Sequence, residues 1–157
     1  KILYEGREIS STYVREEVAK GNMETVTRLL GSPYLICGQV MHGKRLGRTL
    51  GMPTVNLLPS RDKLLPPNGV YLSRMEFGGM NFAGITNIGC KPTVSDSGQM
   101  GAETYLYHFQ DEIYGEYVEL SPYAFRRPEQ KFADVEDLKK HMTADIAAGR
   151  EYWKDQI

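Results

Sequence analysis

A basic, glycine-rich segment between residues 42 and 52 has the composition of a phosphate-binding loop. Its glycines recur every four residues with three basic side chains among them: Gly43, Lys44, Arg45, Gly47, Arg48 and Gly51. Glycine lets a backbone approach a ligand closely, and successive backbone N–H groups can form an anion-binding concavity. The segment is not a Walker A loop, because no G-x-x-x-x-G-K-[ST] pattern occurs. The alternative is a surface loop with solvated basic residues.

Thr54 and Asn56, in the run Pro53-Thr54-Val55-Asn56, are candidate metal ligands. In an extended segment, two residues separated by one other point to the same side. A hydroxyl and an amide oxygen are hard donors of the kind Mg²⁺ accepts, with water and phosphate completing the coordination. The alternative is an ordinary turn, in which proline and asparagine are common.

Glu103 is the candidate general base. A strand over residues 102–109 would place Glu103, Tyr105, Tyr107 and Phe109 on one face. A carboxylate on a largely aromatic face is costly to bury unless it has partners or a function, and a buried carboxylate can serve in proton abstraction. The alternative is an exposed glutamate at a strand end.

Two further loops could contact a substrate or simply connect strands, namely residues 87–93 and 126–129. The first contains Asn87 and the second contains Arg127 and Glu129. The three histidines show no spacing typical of metal ligands.

Alternating β-branched and aromatic residues predict strands at 34–42, 69–77, 81–88, 102–109 and 116–123. Helical spacing predicts helices within residues 1–31, broken at Gly21-Asn22 and stopped at Gly31, and a C-terminal helix from Asp134 to about residue 150. The stretch 43–68 shows little periodicity and reads as a long loop. Several short strands followed by one helix favour a closed antiparallel barrel with a packed helix.

Composition excludes several classes of protein. The net charge of -1 argues against a nucleic-acid partner, since nucleic-acid binders normally carry a basic excess. Two cysteines form no disulfide framework, which favours a cytoplasmic protein. No apolar run approaches the roughly 20 residues that span a membrane. Because the chain begins at Lys1 rather than methionine, we expect it to be a piece of a longer protein.

Taken in order, these segments resemble the riboflavin kinase family over residues 34–150. The ATP-binding signature corresponds to H-G-x-x-x-G-R-x-L-G-x-P-T-x-N-L beginning at His42. The remaining matches follow in the order of the family: Leu65-Pro66-Pro67-Asn68-Gly69-Val70-Tyr71, Asn87-Ile88-Gly89, Pro92-Thr93, Glu103-Thr104, Tyr114-Gly115-Glu116, Arg127-Pro128-Glu129 and Phe132. In place of two family residues this chain has Tyr105, where histidine is usual, and His108, near a usual acidic position.

The resemblance implies a mainly β fold, a six-stranded antiparallel Greek-key barrel with a C-terminal helix, preceded here by a short helical segment. It implies the reaction ATP + riboflavin → ADP + FMN. Glu103 then matches the catalytic base, and Thr54 and Asn56 match the pair that holds Mg²⁺ and the ATP phosphates. The resemblance assigns the remaining residues to two groups: Gly43, Lys44, Gly47 and Arg48 around the nucleotide, and Asn87, Arg127 and Glu129 around the flavin.

The run Ile9-Ser10-Ser11-Thr12-Tyr13-Val14-Arg15 resembles the second signature of the adenylyltransferase domain in bacterial bifunctional riboflavin kinase/FAD synthetases. The upstream H-x-G-H motif that accompanies it is absent from this chain. We therefore expect residues 1–31 to be a remnant of an FMN adenylyltransferase domain and its linker, and residues 32–157 to be the kinase domain. A flavin- or nucleotide-binding barrel without catalysis and an oligonucleotide-binding barrel are the competing interpretations.

Overall fold

The computed structural model describes residues 1–42, 50–90 and 100–157. Six antiparallel strands close into a barrel in the order β3-β4-β7-β6-β5-β8. Their bounds are β3 Ile36–Met41, β4 Val55–Leu57, β5 Gly69–Phe77, β6 Met80–Cys90, β7 Met100–Leu106 and β8 Tyr117–Pro128. Two short strands, β1 (Leu3–Tyr4) and β2 (Arg7–Glu8), form a separate hairpin at the N-terminus. The predicted closed barrel is confirmed, while the N-terminal hairpin and β4, inside the stretch read as a loop, were not predicted.

Two helices follow the hairpin, α1 (Ser11–Lys20) and α2 (Met23–Leu30). The Ser10 side chain caps α1 by accepting a hydrogen bond from the Tyr13 N–H at 3.1 Å. Gly21 ends α1 with a φ of 80°, a left-handed conformation that favours glycine. Asn22 is the N-cap residue of α2, but its side chain makes no capping hydrogen bond; its amide donates to Glu17 Oε2 at 3.2 Å.

The barrel interior and the N-terminal helices share one hydrophobic core. Val18, Met23 and Val26 from the helices are at most 1% exposed and belong to the same cluster as the barrel residues. The barrel contributes most of that cluster: Ile36, Val40, Val55, Leu57, Tyr71, Met75, Phe77, Ile88, Ala102, Leu106, Val118 and Leu120. The helices are therefore packed as part of the barrel's hydrophobic structure.

The C-terminal helix α3 (Val135–Tyr152) covers part of the outer face of the barrel. Asp134 caps it by accepting from the Asp137 N–H at 2.8 Å. Two hydrogen bonds attach its far end to the sheet, from Tyr107 Oη to the Ile146 carbonyl at 2.7 Å and from Trp153 Nε1 to the Gly84 carbonyl at 3.3 Å. Helix α3 covers only this part of the outer face, and polar side chains of β4, β6 and β7 lie on the part next to it.

Strand β7 ends earlier than the sequence pattern indicates. Glu103, Tyr105 and Tyr107 do lie toward the outer face, but the strand stops at Leu106 and His108 has a φ of 60°. This turn breaks the alternation, so Phe109 packs instead on the interior cluster, 5.4 Å from Phe77 between ring centroids. The prediction that Phe109 shares a face with Glu103 is therefore wrong.

Candidate functional site

Strand pairing aligns four of the predicted site residues in one row across the barrel. Asn56 on β4 is paired with Glu103 on β7, and Glu103 is paired with Asn87 on β6. Asn87 is paired with Val70 on β5, and Val70 with Arg127 on β8. Directly paired residues on adjacent strands point to the same face, with Cβ atoms about 4.5–5.5 Å apart. Residues from four distant segments thus form a single row, which we call the polar row.

The polar row lies on the outside of the barrel. The residues that alternate with its members along the strands are buried and face inward: Val55, Leu57, Ile88, Ala102 and Thr104. Behind the row, three buried hydroxyls form a chain across the interior, with Ser73 Oγ 2.7 Å from Thr86 Oγ1 and Thr86 Oγ1 2.8 Å from Thr104 Oγ1. These cross-strand bonds hold β5, β6 and β7 in register and so help fix the position of Glu103 next to Thr104. The hydroxyl chain was not predicted from the sequence.

Glu103 is held by a neighbouring hydroxyl. Thr54 Oγ1 donates a hydrogen bond of 2.8 Å to Glu103 Oε1, and this contact is partly buried. Thr54 precedes β4 immediately, so it reaches Glu103 diagonally from the side of Asn56. The predicted base and the predicted Thr–Asn pair are therefore in direct contact.

The oxygen atoms at this end of the polar row suit a magnesium ion. A hydroxyl, an amide and a carboxylate lie on adjacent strands at Thr54, Asn56 and Glu103. Mg²⁺ favours hard oxygen donors and commonly keeps one or two protein ligands beside water and phosphate. Among the described residues no cluster of three or more histidine, cysteine, aspartate or glutamate side chains could hold a metal alone. With Thr54, Asn56 and Glu103 as protein donors, a metal bound here would complete its coordination with water and phosphate oxygens.

A groove adjoins the same end of the polar row. It is lined by Val40, Pro53, Thr54, Val55, Asn56, Leu106, Phe109, Gln110, Asp111, Glu112, Ile113 and Tyr114. His42 stacks on Tyr114 at its rim, with ring centroids 3.7 Å apart. No site residue was predicted within the segment 109–114, because its contribution depends on the turn after β7. The predicted nucleotide-binding residues Gly43, Lys44, Gly47 and Arg48 lie outside the described residues.

Asn87 has an unsatisfied polar atom in the middle of the polar row. Its Oδ1 is buried and, among the described residues, is the only such side-chain atom that lacks a hydrogen-bond partner. Buried acceptors are nearly always paired, so an unpaired one calls for an explanation such as a ligand or water. Its position beside Glu103 gives a bound molecule a hydrogen-bond acceptor next to the carboxylate.

The carboxylate of Glu129 lies directly over Gly89 on β6. A Cβ added to Gly89 would come within 2.9 Å of both carboxylate oxygens of Glu129. Gly89 is paired with Gly101 on β7, two residues before Glu103. A side chain at position 89 would require the Glu129 carboxylate to move away from the sheet. Gly101 was not among the predicted site residues.

Arg127 occupies the other end of the polar row and is turned toward helix α3. Its Nε and Nη2 donate to the two carboxylate oxygens of Asp145 at 3.0 and 2.8 Å. Asp145 is 5% exposed and was not predicted as part of the site. Its position on the predicted C-terminal helix gave no local indication that it would be buried and paired with partly buried arginines.

The structure shows a six-stranded barrel with a groove, a carboxylate that accepts a hydrogen bond from a threonine hydroxyl, and a row of polar side chains on its outer face. A model of the family described as "Flavokinase: Riboflavin kinase" matches residues 30–153. This chain belongs to the riboflavin kinase family, which confirms the resemblance seen in the sequence.

Several curated relatives are named bifunctional riboflavin kinase/FMN adenylyltransferase. The protein from Pseudomonas fluorescens is 38% identical over 93% of this chain and 47% of its own length. That from Bacillus subtilis is 34% identical over 99% of this chain and 50% of its own length, and that from Escherichia coli K12 is 37% identical over 94% and 47%. The chain thus spans about half the length of the curated relatives it matches.

Two solved structures share the fold. A crystal structure from Streptococcus pneumoniae, named as a macrolide-efflux protein, superposes with a TM-score of 0.86 and 31% identity, covering 95% of this chain and 49% of the other. Riboflavin kinase from Trypanosoma brucei superposes with a TM-score of 0.56 and 21% identity, covering 79% of each chain. The second likeness supports the barrel fold alone.

Proposed function

We propose that this chain transfers the γ-phosphoryl group of ATP to the ribityl 5′-hydroxyl of riboflavin, giving FMN and ADP. The observation that carries the proposal is the polar row, in which Glu103 lies between the Thr54 and Asn56 oxygens on one side and Asn87 on the other. Membership of the riboflavin kinase family indicates the substrate class. The polar row supports the proposal because it has candidate binding residues on both sides of Glu103, so that two substrates could meet at this carboxylate.

The arrangement suits a nucleotide at one end and an acceptor at the other. The groove beside Thr54 and Asn56 receives ATP, with Gly43, Lys44, Gly47 and Arg48 around its phosphates. Asn87, Arg127 and Glu129 receive or enclose the flavin. Phosphoryl transfer depends mainly on alignment and charge neutralisation, and two sites that meet at one carboxylate provide that alignment.

Glu103 acts as the general base in this proposal. Its carboxylate accepts the proton of the ribityl 5′-hydroxyl while the hydroxyl oxygen forms a bond to the γ-phosphorus. The bond from that phosphorus to the bridging oxygen breaks, and ADP leaves with the electron pair. The 2.8 Å hydrogen bond from Thr54 fixes the direction of the carboxylate before the substrate arrives.

Thr54 and Asn56 would hold Mg²⁺ together with the ATP phosphates. A bound Mg²⁺ neutralises charge on the transferring phosphoryl group. The hydroxyl of Thr54 and the amide of Asn56 orient those phosphates toward Glu103.

The wider setting is also a proposal. The parent protein carries an adenylyltransferase domain before residues 32–157, since the relatives are about twice as long and are named for both activities. The reaction takes place in the cytoplasm, in keeping with the free thiols of Cys37 and Cys90. In the described part of the chain, no helix is long and apolar enough to cross a membrane.

The direct test is incubation of the chain with riboflavin, ATP and Mg²⁺, followed by chromatographic separation of FMN. We expect FMN and ADP to appear in equal amounts and both to disappear when a chelator removes the metal. Flavin binding without FMN formation would favour a binding barrel and overturn the proposal.

Substitution of Thr54 by valine tests the proposal that Thr54 helps to bind Mg²⁺. Valine keeps the shape but removes the hydroxyl, so we expect the Mg²⁺ concentration for half-maximal rate to rise by about 10-fold or more. The measurement is the initial rate of FMN formation against Mg²⁺ at fixed ATP. Thr54→Ser, which restores the hydroxyl, is the matched control and should stay near the wild type. An unchanged Mg²⁺ dependence in Thr54→Val would contradict the assignment.

A further inference from the structure

Asp145 is a buried carboxylate on helix α3 that lies away from the proposed chemistry. It is 5% exposed, and burial of an isolated charge is strongly unfavourable unless it is paired and hydrogen-bonded. Here the pairing is complete on both oxygens: Oδ1 accepts from Arg126 Nε at 2.9 Å and Arg127 Nε at 3.0 Å, and Oδ2 accepts from Arg127 Nη2 at 2.8 Å. Arg127 and Asp145 form the parallel two-bond fork that gives such pairs their directional specificity.

A β-bulge makes this double contact possible. Consecutive residues of a regular strand point to opposite faces, so two adjacent arginines should not reach one carboxylate. Between β5 and β8, however, Val70 is paired with Arg127 and the next residue, Tyr71, with Phe125. Arg126 is the extra residue, and the irregularity brings both guanidinium groups to Asp145. Bulges commonly redirect a side chain beside an active site.

Arg127 also forms hydrogen bonds with the residues on either side of Glu129. Its Nη1 donates to the Pro128 carbonyl at 3.2 Å and to Gln130 Oε1 at 3.4 Å. These two contacts flank Glu129, whose carboxylate lies over Gly89 beside the polar row. Among the described residues, the Arg126 side chain forms a hydrogen bond to Asp145 and none to residues 128–130.

We propose that Asp145 is a positioning residue for the flavin end of the site. By holding the Arg127 guanidinium, it fixes residues 128–130 and thereby the location of Glu129, without touching the substrate itself. The inference rests on the proposed function for the identity of that substrate. It assigns Asp145 to acceptor binding rather than to nucleotide binding or proton transfer. The hydrogen bonds of Asp145 lead through Arg127 to the residues on either side of Glu129, and not to Glu103.

Asp145→Asn is the main test, since asparagine has the same shape but loses the charge and one acceptor. We expect KM for riboflavin to rise by about 10-fold, the equivalent of one charge-assisted hydrogen bond. KM for ATP and kcat should each change less than about threefold, because the groove and Glu103 are not part of the connection. A merely structural role would lower the active fraction and kcat while leaving both KM values in place.

Arginine-to-lysine variants provide the matched pair. Arg127→Lys loses the fork and the contacts to residues 128 and 130, so it should reproduce the riboflavin KM change. Arg126→Lys, which alters the other ion pair of the same carboxylate, should leave that KM near the wild type. If Asp145 acts through Arg127, the double variant Asp145→Asn/Arg127→Lys should be no worse for riboflavin than the poorer single variant.

The outcomes separate this proposal from the proposed function. Wild-type riboflavin KM in Arg127→Lys, or in folded Asp145→Asn, would overturn the positioning role while FMN formation stood. Should Asp145→Asn fail to fold in a thermal melt, the two lysine variants decide the question. Should the wild type form no FMN, the proposed function fails, and the role of Asp145 is judged by riboflavin affinity from the quenching of flavin fluorescence.

Discussion

Replacement of Glu103 by glutamine is expected to lower the turnover number for FMN formation by about 10²–10⁴-fold, the usual contribution of a positioned general base. Glutamine has the same size and can still accept the Thr54 hydroxyl hydrogen bond that Glu103 Oε1 accepts at 2.8 Å. It cannot accept a proton from the ribityl hydroxyl. The variant should therefore keep its shape and its nucleotide affinity while it loses the chemical step.

The measurement is FMN formed per unit time at saturating riboflavin and Mg-ATP, with ATP affinity followed by calorimetry. Glu76→Gln is a matched control, because Glu76 is an exposed glutamate on β5 that belongs to no part of the proposed site. We expect its turnover to equal that of the wild type. Wild-type turnover in Glu103→Gln, with folding intact, would remove Glu103 from the mechanism.

The individual candidate residues could be proposed from the sequence, whereas their alignment in one row could not. Glu103, Asn56 and Asn87 each lie in a short segment whose residue types indicate polar chemistry. Their placement in one row depends on which strands pair and in what register, and those pairings join residues that are far apart in the chain. Register is determined by burial of one whole face and by turn geometry, neither of which a local pattern contains.

The missed features have local causes. Strand β4 has only three residues and follows a proline- and glycine-rich stretch, so periodicity was too short to detect. The bulge at Arg126 adds one unpaired residue, which no alternation pattern anticipates. Charged residues on helices are normally solvated, so Asp145 could be recognised only once two arginines were found beside it.

Gly149 in helix α3 illustrates how a packing contact can reverse an intrinsic preference. Alanine in the interior of a helix is favoured over glycine by about 1 kcal/mol, so propensity alone predicts that Gly149→Ala stabilises the protein. A Cβ at this position would overlap Tyr107 Oη and lie 2.5 Å from Ile85 Cδ1. Overpacking of this kind typically costs about 1–3 kcal/mol. We therefore expect Gly149→Ala to lower the free energy of unfolding, measured by urea denaturation.

The sign of that change decides between propensity and packing, and two variants isolate each contribution. Ala147 is exposed on the same helix, so Ala147→Gly measures the propensity cost without a packing change. Tyr107→Phe removes the hydroxyl that the new Cβ would meet, together with its 2.7 Å hydrogen bond to the Ile146 carbonyl. The double variant Gly149→Ala/Tyr107→Phe should then be more stable than the sum of the single changes predicts, by about 0.5 kcal/mol or more. Gly149→Ala more stable than the wild type would show that α3 does not approach the barrel this closely.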